Sequence, residues 1–293
     1  MNAFFKLHPI VMAIYFLAVI LITMFSSNPI ILAISLVASI CVYICILGFQ
    51  KLQKQLRSFA VIIVLCTVSN PLFSKNGNTI LLEFWKIKIT AQSLLFGISV
   101  GVMLVCSTIW FLSLSTALTS QKIMYLFGKR MPKVALTISL SLRLVPEFFK
   151  KFQTTAQSQK ALGLFGQDSF RDRIKASSNV FLSVCADVLE SSTQTSDSMR
   201  ARGFGLNKHS AYSSYKFFAH DAILLVIIVA LLGTIAICEI LGGTEFNYYP
   251  CLSPLPLNLY NLCCYTSFAL FAFLPVIITV KEDVTWKYSM SKS

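Results

Sequence analysis

Charge is what this chain has least of. Asp, Glu, Lys and Arg together make up 13% of its 293 residues, about half the share carried by a soluble globular chain. Apolar residues make up 56%, which excludes an ordinary water-soluble domain. No G-x-x-x-x-G-K-[ST] phosphate loop is present: Gly128-Lys129-Arg130 lacks the preceding glycine and the hydroxyl residue, so any ATP is hydrolysed by a partner. There is no C-x-x-C among the nine cysteines. Cys41, Cys45, Cys66, Cys106, Cys185 and Cys238 lie in apolar stretches and read as small buried residues. Only Cys251, Cys263 and Cys264 fall near a loop that could meet an oxidising compartment, so one bridge there stays open. His8, His209 and His220 share no ligand spacing, and neither a metal site nor a cofactor is expected.

What the chain does have is long apolar runs, near residues 9–26, 29–49, 91–119, 217–241 and 263–280, with a shorter one at 59–73. About 20 apolar residues cross a bilayer as a helix. The expectation is an all-α integral membrane protein with about six transmembrane helices, the shorter run being tilted, re-entrant or half buried. No small-residue cleavage site follows the first run, so it reads as a span. Lys51, Lys54 and Arg57 lie between the second and third runs, whereas residues 242–262 carry no Lys or Arg and only Glu245. The basic side is expected to be cytoplasmic, with both termini there. Lys281, Lys287 and Lys292 agree; Lys75, Lys86 and Lys88 do not, in a segment where Asn76-Gly77 and alternating Ile87 and Ile89 suggest a short hairpin. The net charge of +13 orients the chain in lipid rather than implying nucleic acid, because each basic cluster adjoins an apolar run.

Residues 120–216 hold fifteen of the twenty-five Lys and Arg residues. Three regions follow: N-terminal spans over 1–119, a cytoplasmic module over 120–216, and C-terminal spans over 217–293. Pro132 suits a helix's first turn, and Val134, Ile138, Val145, Phe149 and Phe152 recur at steps near 3.6. One amphipathic helix is therefore expected to about residue 162, stopped by Gly163 and Gly166. A second starts after Asp168 or Ser169 and runs from about Phe170 to Arg202, with Ile174, Phe181, Val184, Val188 and Leu189 apolar, stopped by Gly203 and Gly205. Each would be about 45 Å long. The second is rich in Ser177, Ser178, Ser183, Ala186, Ser191, Ser192, Thr193 and Ser196; small side chains let the two long helices cross in contact, though about half of these read as solvated.

Both helices end in a related string, Gln159-Lys160-Ala161-Leu162-Gly163 and Met199-Arg200-Ala201-Arg202-Gly203. A helix C-terminus concentrates unpaired carbonyls and negative partial charge, and glycine closes it in the left-handed conformation. A cation held there is a plug for an acidic socket. One such end is commonplace; two on consecutive long helices point to a docking role.

With Asn28-Pro29, Asn70-Pro71-Leu72-Phe73, Leu142-Arg143-Leu144-Val145-Pro146 and Ala201-Arg202-Gly203, most of the chain resembles the transmembrane T component of energy-coupling factor vitamin and metal transporters, related to the cobalt transport protein CbiQ. Ala201-Arg202-Gly203 looks like the second of that family's two Ala-Arg-Gly signatures. At the first, Leu162 stands where the family has Arg, and Lys160 is about 200° round the helix from it. The resemblance implies that Lys160, Ala161, Leu162 and Gly163, with Ala201, Arg202 and Gly203, dock two ATP-binding cassette ATPases. It also implies that the long helices grip a small substrate-binding membrane subunit in the plasma membrane. Arg143 and Pro146 read as structural: Arg143 pairs with Glu147 or another carboxylate, or reaches lipid phosphate.

Two other classes compete. A self-sufficient carrier or channel needs paired polar groups at a midplane site, and the spans offer little beyond Glu239. A magnesium-dependent prenyltransferase needs two acidic clusters; Asp168 and Asp172 make one, while Asp187, Glu190 and Asp197 read as solvated or paired with nearby cations. No catalytic residue is assigned.

Overall fold

The computed structural model describes residues 7–73, 80–84, 87–128, 131–163, 170–204, 215, 217–241, 246–249, 252–254 and 259–290. Lys75, Asn76, Gly77, Lys86, Lys129, Arg130, Gly166, Asp168, Ser169, Gly205, His209, Glu245, Cys251 and Lys292 lie outside the described residues, as do the side chains of Lys88, Asp172 and Lys287. The chain forms two compact units, residues 1–120 with 215–293, and residues 121–214.

The first unit holds α1 (Pro9–Phe25), α2 (Pro29–Leu47), α3 (Phe49–Phe73), an antiparallel hairpin of β1 (Ile80–Phe84) and β2 (Ile87–Thr90), and α4 (Ala91–Ala117). After the second unit's α5 (Ser120–Gly128), α6 (Pro132–Ala161) and α7 (Phe170–Ala201), the chain returns with α8 (Ala219–Ile240) and α9 (Leu259–Met290). Helix starts follow local chemistry. Proline opens α1 and α2, where a missing N–H costs nothing. Before each stands a side-chain acceptor: His8 Nδ1 takes the Ile10 N–H at 3.3 Å and Asn28 Oδ1 the Ile30 N–H at 3.0 Å.

Among the described residues, five helices are long and apolar enough to cross a membrane: α2, α3, α4, α8 and the Leu259–Lys281 part of α9. The apolar α1 has 17 residues, about 26 Å of helix, slightly short of a hydrocarbon core of about 30 Å. Apart from the one hairpin, this is a helical, multi-pass membrane architecture, with five full-length candidates and one short helix among the described residues. The third span corrects the sequence expectation. It is one 25-residue helix from Phe49, so Lys51, Lys54 and Arg57 are not in a connecting loop but on its first turns. The run at 59–73 is the apolar part of a longer helix whose cations extend it.

α1 is short but central. Met12, Tyr15, Phe16 and Val19 are fully buried, together with Trp110 of α4 and Phe268 and Phe271 of α9. Their rings meet edge-on or tilted, Tyr15 with Phe271 at 5.2 Å and Phe16 with Trp110 at 6.2 Å. Polar groups inside this core are matched. Trp110 Nε1 donates to Ser35 Oγ at 3.1 Å, Ser35 Oγ lies 2.9 Å from Thr23 Oγ1, and Thr23 donates back to the Val19 carbonyl at 2.8 Å. Tyr15 donates to the Ala272 carbonyl at 3.0 Å. Asn28, wholly buried, donates from Nδ2 to Tyr265 at 2.8 Å while capping α2, which explains the Asn28-Pro29 pair physically.

At one end of the bundle, Tyr248 donates to the Ser27 carbonyl at 3.2 Å and accepts from Ser99 at 2.7 Å. The loop before α9 is thereby tied to the α1–α2 turn and to α4. Desolvation raises the Tyr248 hydroxyl above its ordinary value, so it stays protonated and keeps its donor. At the other end, Asp221, 1% exposed, accepts the His8 N–H at 3.3 Å and the Phe218 N–H at 3.1 Å. That carboxylate joins the start of α8 to the entry of α1.

The backbones of α3 and α4 approach closely at two glycines. A Cβ at Gly101 would stand 3.0 Å from Ile63 Cα, and one at Gly97 3.0 Å from Thr67 Cα. This Gly-x-x-x-Gly face lets two helices pack through dispersion where lipid supplies no hydrophobic drive. Gly101→Ala should therefore lower the unfolding midpoint of the purified protein, by about 1–3 kcal/mol of stability. Gly233→Ala on α8, where nothing lies within 4 Å, should leave it equal or slightly higher. Equal midpoints for the two variants in a detergent melt would show that the close approach is not there.

Candidate functional site

The second unit contains the two long helices. α6 has 30 residues and α7 has 32. They meet: Lys151 Nζ lies 2.8 Å from Asp187 Oδ2. The pair sits well inside both helices, ten residues before the end of α6 and fourteen before that of α7. Bonding to Asp187 raises the Lys151 ammonium above the usual lysine value, with Glu147 adding to it. Beside the pair a groove of about 450 Å³ is lined by Leu144, Val145, Phe148 and Phe149 of α6 and by Val188 and Ser191 of α7. Asp187 thus has the cationic neighbour expected of it. Arg143 does not pair with Glu147 among the described residues, and is exposed. Pro146 lies within α6 without ending it.

The serine-rich contact is corrected. The buried residues of α7 are Ala176, Val180 and Val184, one residue every four, whereas Ser177, Ser178, Ser183, Ala186, Ser192 and Thr193 are exposed and Ser191 and Ser196 half-buried. Most of these small side chains are solvated because they fall off the buried stripe. The apolar positions expected from periodicity also divide. Val184 is buried and Val188 half-buried, but Phe149, Phe181 and Leu189 are 62%, 52% and 68% exposed. Val145 and Ile174 are exposed as well, leaving large apolar area in both helices that the described residues do not cover.

The helix ends are built alike. At α7, Gly203 has φ 82°; its N–H reaches the Arg200 carbonyl at 2.9 Å and the Phe204 N–H reaches the Met199 carbonyl at 3.0 Å. These are the two bonds of the Schellman stop. At α6, Gly163 has φ 78° and its N–H reaches the Lys160 carbonyl at 3.0 Å. Leu162 and Arg202 hold the same place, the last residue before the left-handed glycine, and both are exposed, Leu162 by 74%. Ala161 and Lys160, one and two places earlier, are exposed, as is Ala201.

The two ends are not brought together. α7 puts about 48 Å between Phe170 and Arg202, and the residues joining Leu162 to Phe170 span at most about 28 Å. At least about 20 Å therefore separates Leu162 from Arg202, too far for one shared socket. Sequence reasoning missed the Lys151–Asp187 clasp, since nothing in either helix's own pattern marks which cation meets which carboxylate. It also missed Phe204, although an apolar residue after a stop glycine is a known companion of this cap.

A family model described as CbiQ, cobalt transport protein, matches residues 2–213. No individual curated protein matches the chain.

The caps make a direct prediction. Alanine at position 203 would have to adopt the left-handed region, at about 1–2 kcal/mol. Gly203→Ala should speed hydrogen exchange at the amides of residues 203 and 204 by roughly tenfold. Unchanged protection would mean that the positive-φ stop does not hold that end.

Proposed function

The chain belongs to the cobalt transport protein family, and from that membership we propose that it is the coupling subunit of an energy-coupling factor importer for a metal ion or vitamin. It is a membrane transport component; the finer roles rest on the second unit. The observation that carries them is the pair of long helices, clasped near their middles and each closed by glycine at positive φ behind an exposed tip. Two tips at least about 20 Å apart suit two separate sockets, hence two ATP-binding cassette ATPases. The uncovered apolar groove around Phe149 and Val188 suits a small substrate-binding membrane subunit, which would supply the pocket and decide what is carried.

The mechanism is mechanical. Closure of the ATPases on ATP would draw their sockets together, and α6 and α7 would turn about the Lys151–Asp187 clasp as levers. Motion at the tips would then reach the groove and the substrate subunit gripped there. Arg143 and Pro146 support the shape of α6, with Arg143 free to reach lipid phosphate. The end of the bundle carrying Lys51, Lys54 and Arg57 faces the cytoplasm, together with both termini and the long helices. This chain performs no chemistry in the cycle.

Arg202→Ala should weaken capture of the ATPases by the purified chain roughly ten- to hundredfold, the loss of a charge-assisted hydrogen bond. Uptake in cells should fall with it, while the bundle's melting midpoint stays put. Full ATPase co-purification and uptake with Arg202→Ala would reject the assignment of this tip. Transport by the chain alone in vesicles, without any ATPase, would reject the coupling role altogether.

A further inference from the structure

α3 contributes little to the core: only Leu52, Phe59 and Pro71 of its 25 residues are buried. On its first turns Lys51, Lys54 and Arg57 are all exposed, and none forms an ion pair among the described residues. At about 100° per residue the three cations fall in one arc, on the side away from Leu52 and Phe59. Farther along the same side stand Val61, Val64, Leu65, Val68 and Leu72, each more than half exposed. One face of one helix thus carries a cationic head followed by an apolar track. From Arg57 to Leu72 the track is about 22 Å long, longer than one leaflet's hydrocarbon, which is about 15 Å.

Two physical features call for an anion at the head. Like charges three residues apart on a helix repel one another, and these lie near the N-terminus of α3, where the helix dipole is itself positive. The arrangement is therefore destabilising unless negative charge lies against it, and the described residues of the chain provide none. Exposed Gln50 and Gln53 add donors beside the cations. A zwitterionic headgroup brings no net charge, and a soluble anion makes no use of the track below.

We propose that this face of α3 is a binding site for an anionic phospholipid, with Lys51, Lys54 and Arg57 around its phosphate and the valine and leucine track along its acyl chain. The full chain would be placed in phosphatidylcholine nanodiscs holding a small share of photoactivatable phosphatidylglycerol, and the labelled peptides mapped. Label should concentrate on residues 49–72 and exceed that from photoactivatable phosphatidylcholine. Lys51→Gln/Lys54→Gln/Arg57→Gln should bring the two lipids to parity, a loss of about fivefold per charge removed. Lys51→Arg/Lys54→Arg should keep the preference. Lys133→Gln/Lys150→Gln/Lys175→Gln, which removes the same charge elsewhere, should keep it too. Glycerol phosphate should not displace the label. The site is overturned if label maps to other helices, if the triple Gln variant at 51, 54 and 57 keeps its preference, or if the control triple loses it. It is equally overturned if glycerol phosphate alone displaces the label, or if co-purified partner proteins abolish it by covering this face.

Discussion

In hydrocarbon a polar group finds no water, and a buried donor in a bundle of this kind is costly unless the protein itself meets it. That constraint organises the first unit. Trp110, Ser35 and Thr23 form a chain of donors that closes on a backbone carbonyl. Tyr15 reaches the backbone of α9, and Asn28 reaches Tyr265 on the same helix while capping α2. The Trp110–Ser35, Ser35–Thr23, Tyr15–Ala272 and Asn28–Tyr265 contacts each join two helices, so satisfying the donor also sets which helices are neighbours. The apolar rings around Tyr15 fill the remaining space but carry no such directional information. Between α3 and α4, Gly97 and Gly101 let the two backbones come to contact distance.

The second unit obeys the opposite logic. Its helices are polar enough to meet water and still leave Phe149, Phe181 and Leu189 uncovered. A pair of helices that met its own needs would bury such side chains against each other. Instead the Lys151–Asp187 ion pair links them, and each end is closed by a glycine stop. A long helix held at its centre with a defined stop at its end transmits a push with little loss, because bending it would break backbone hydrogen bonds in series.

Much of this was legible in the chain. The apolar runs located the membrane helices, and α6 and α7 end within about two residues of the limits set by Pro132, Gly163 and Gly203. The twin tips were visible as strings because a glycine stop is a local event, decided by a few residues. What was not legible is tertiary. Lys51, Lys54 and Arg57 stood between two apolar runs in the sequence, since a window of hydropathy sees charge but not the face that Leu52 and Phe59 bury. The serine-rich stretch of α7 suggested a close crossing, whereas the buried stripe runs through Ala176, Val180 and Val184. Composition counts small residues without knowing their azimuth, and pairings such as Lys151 with Asp187 depend on two helices at once.

The unlike residues at the two matched stops have an electrolyte consequence. On the docking proposed above, a guanidinium held by carboxylates is screened as ionic strength rises, the Debye length shrinking to about 3 Å at 1 M. A leucine held by expelled water is tightened by sulfate, which strengthens apolar burial. Concentrated sulfate would thus release the motor subunit at Arg202 while retaining the one at Leu162, yielding a complex with one motor bound at a known end of the lever.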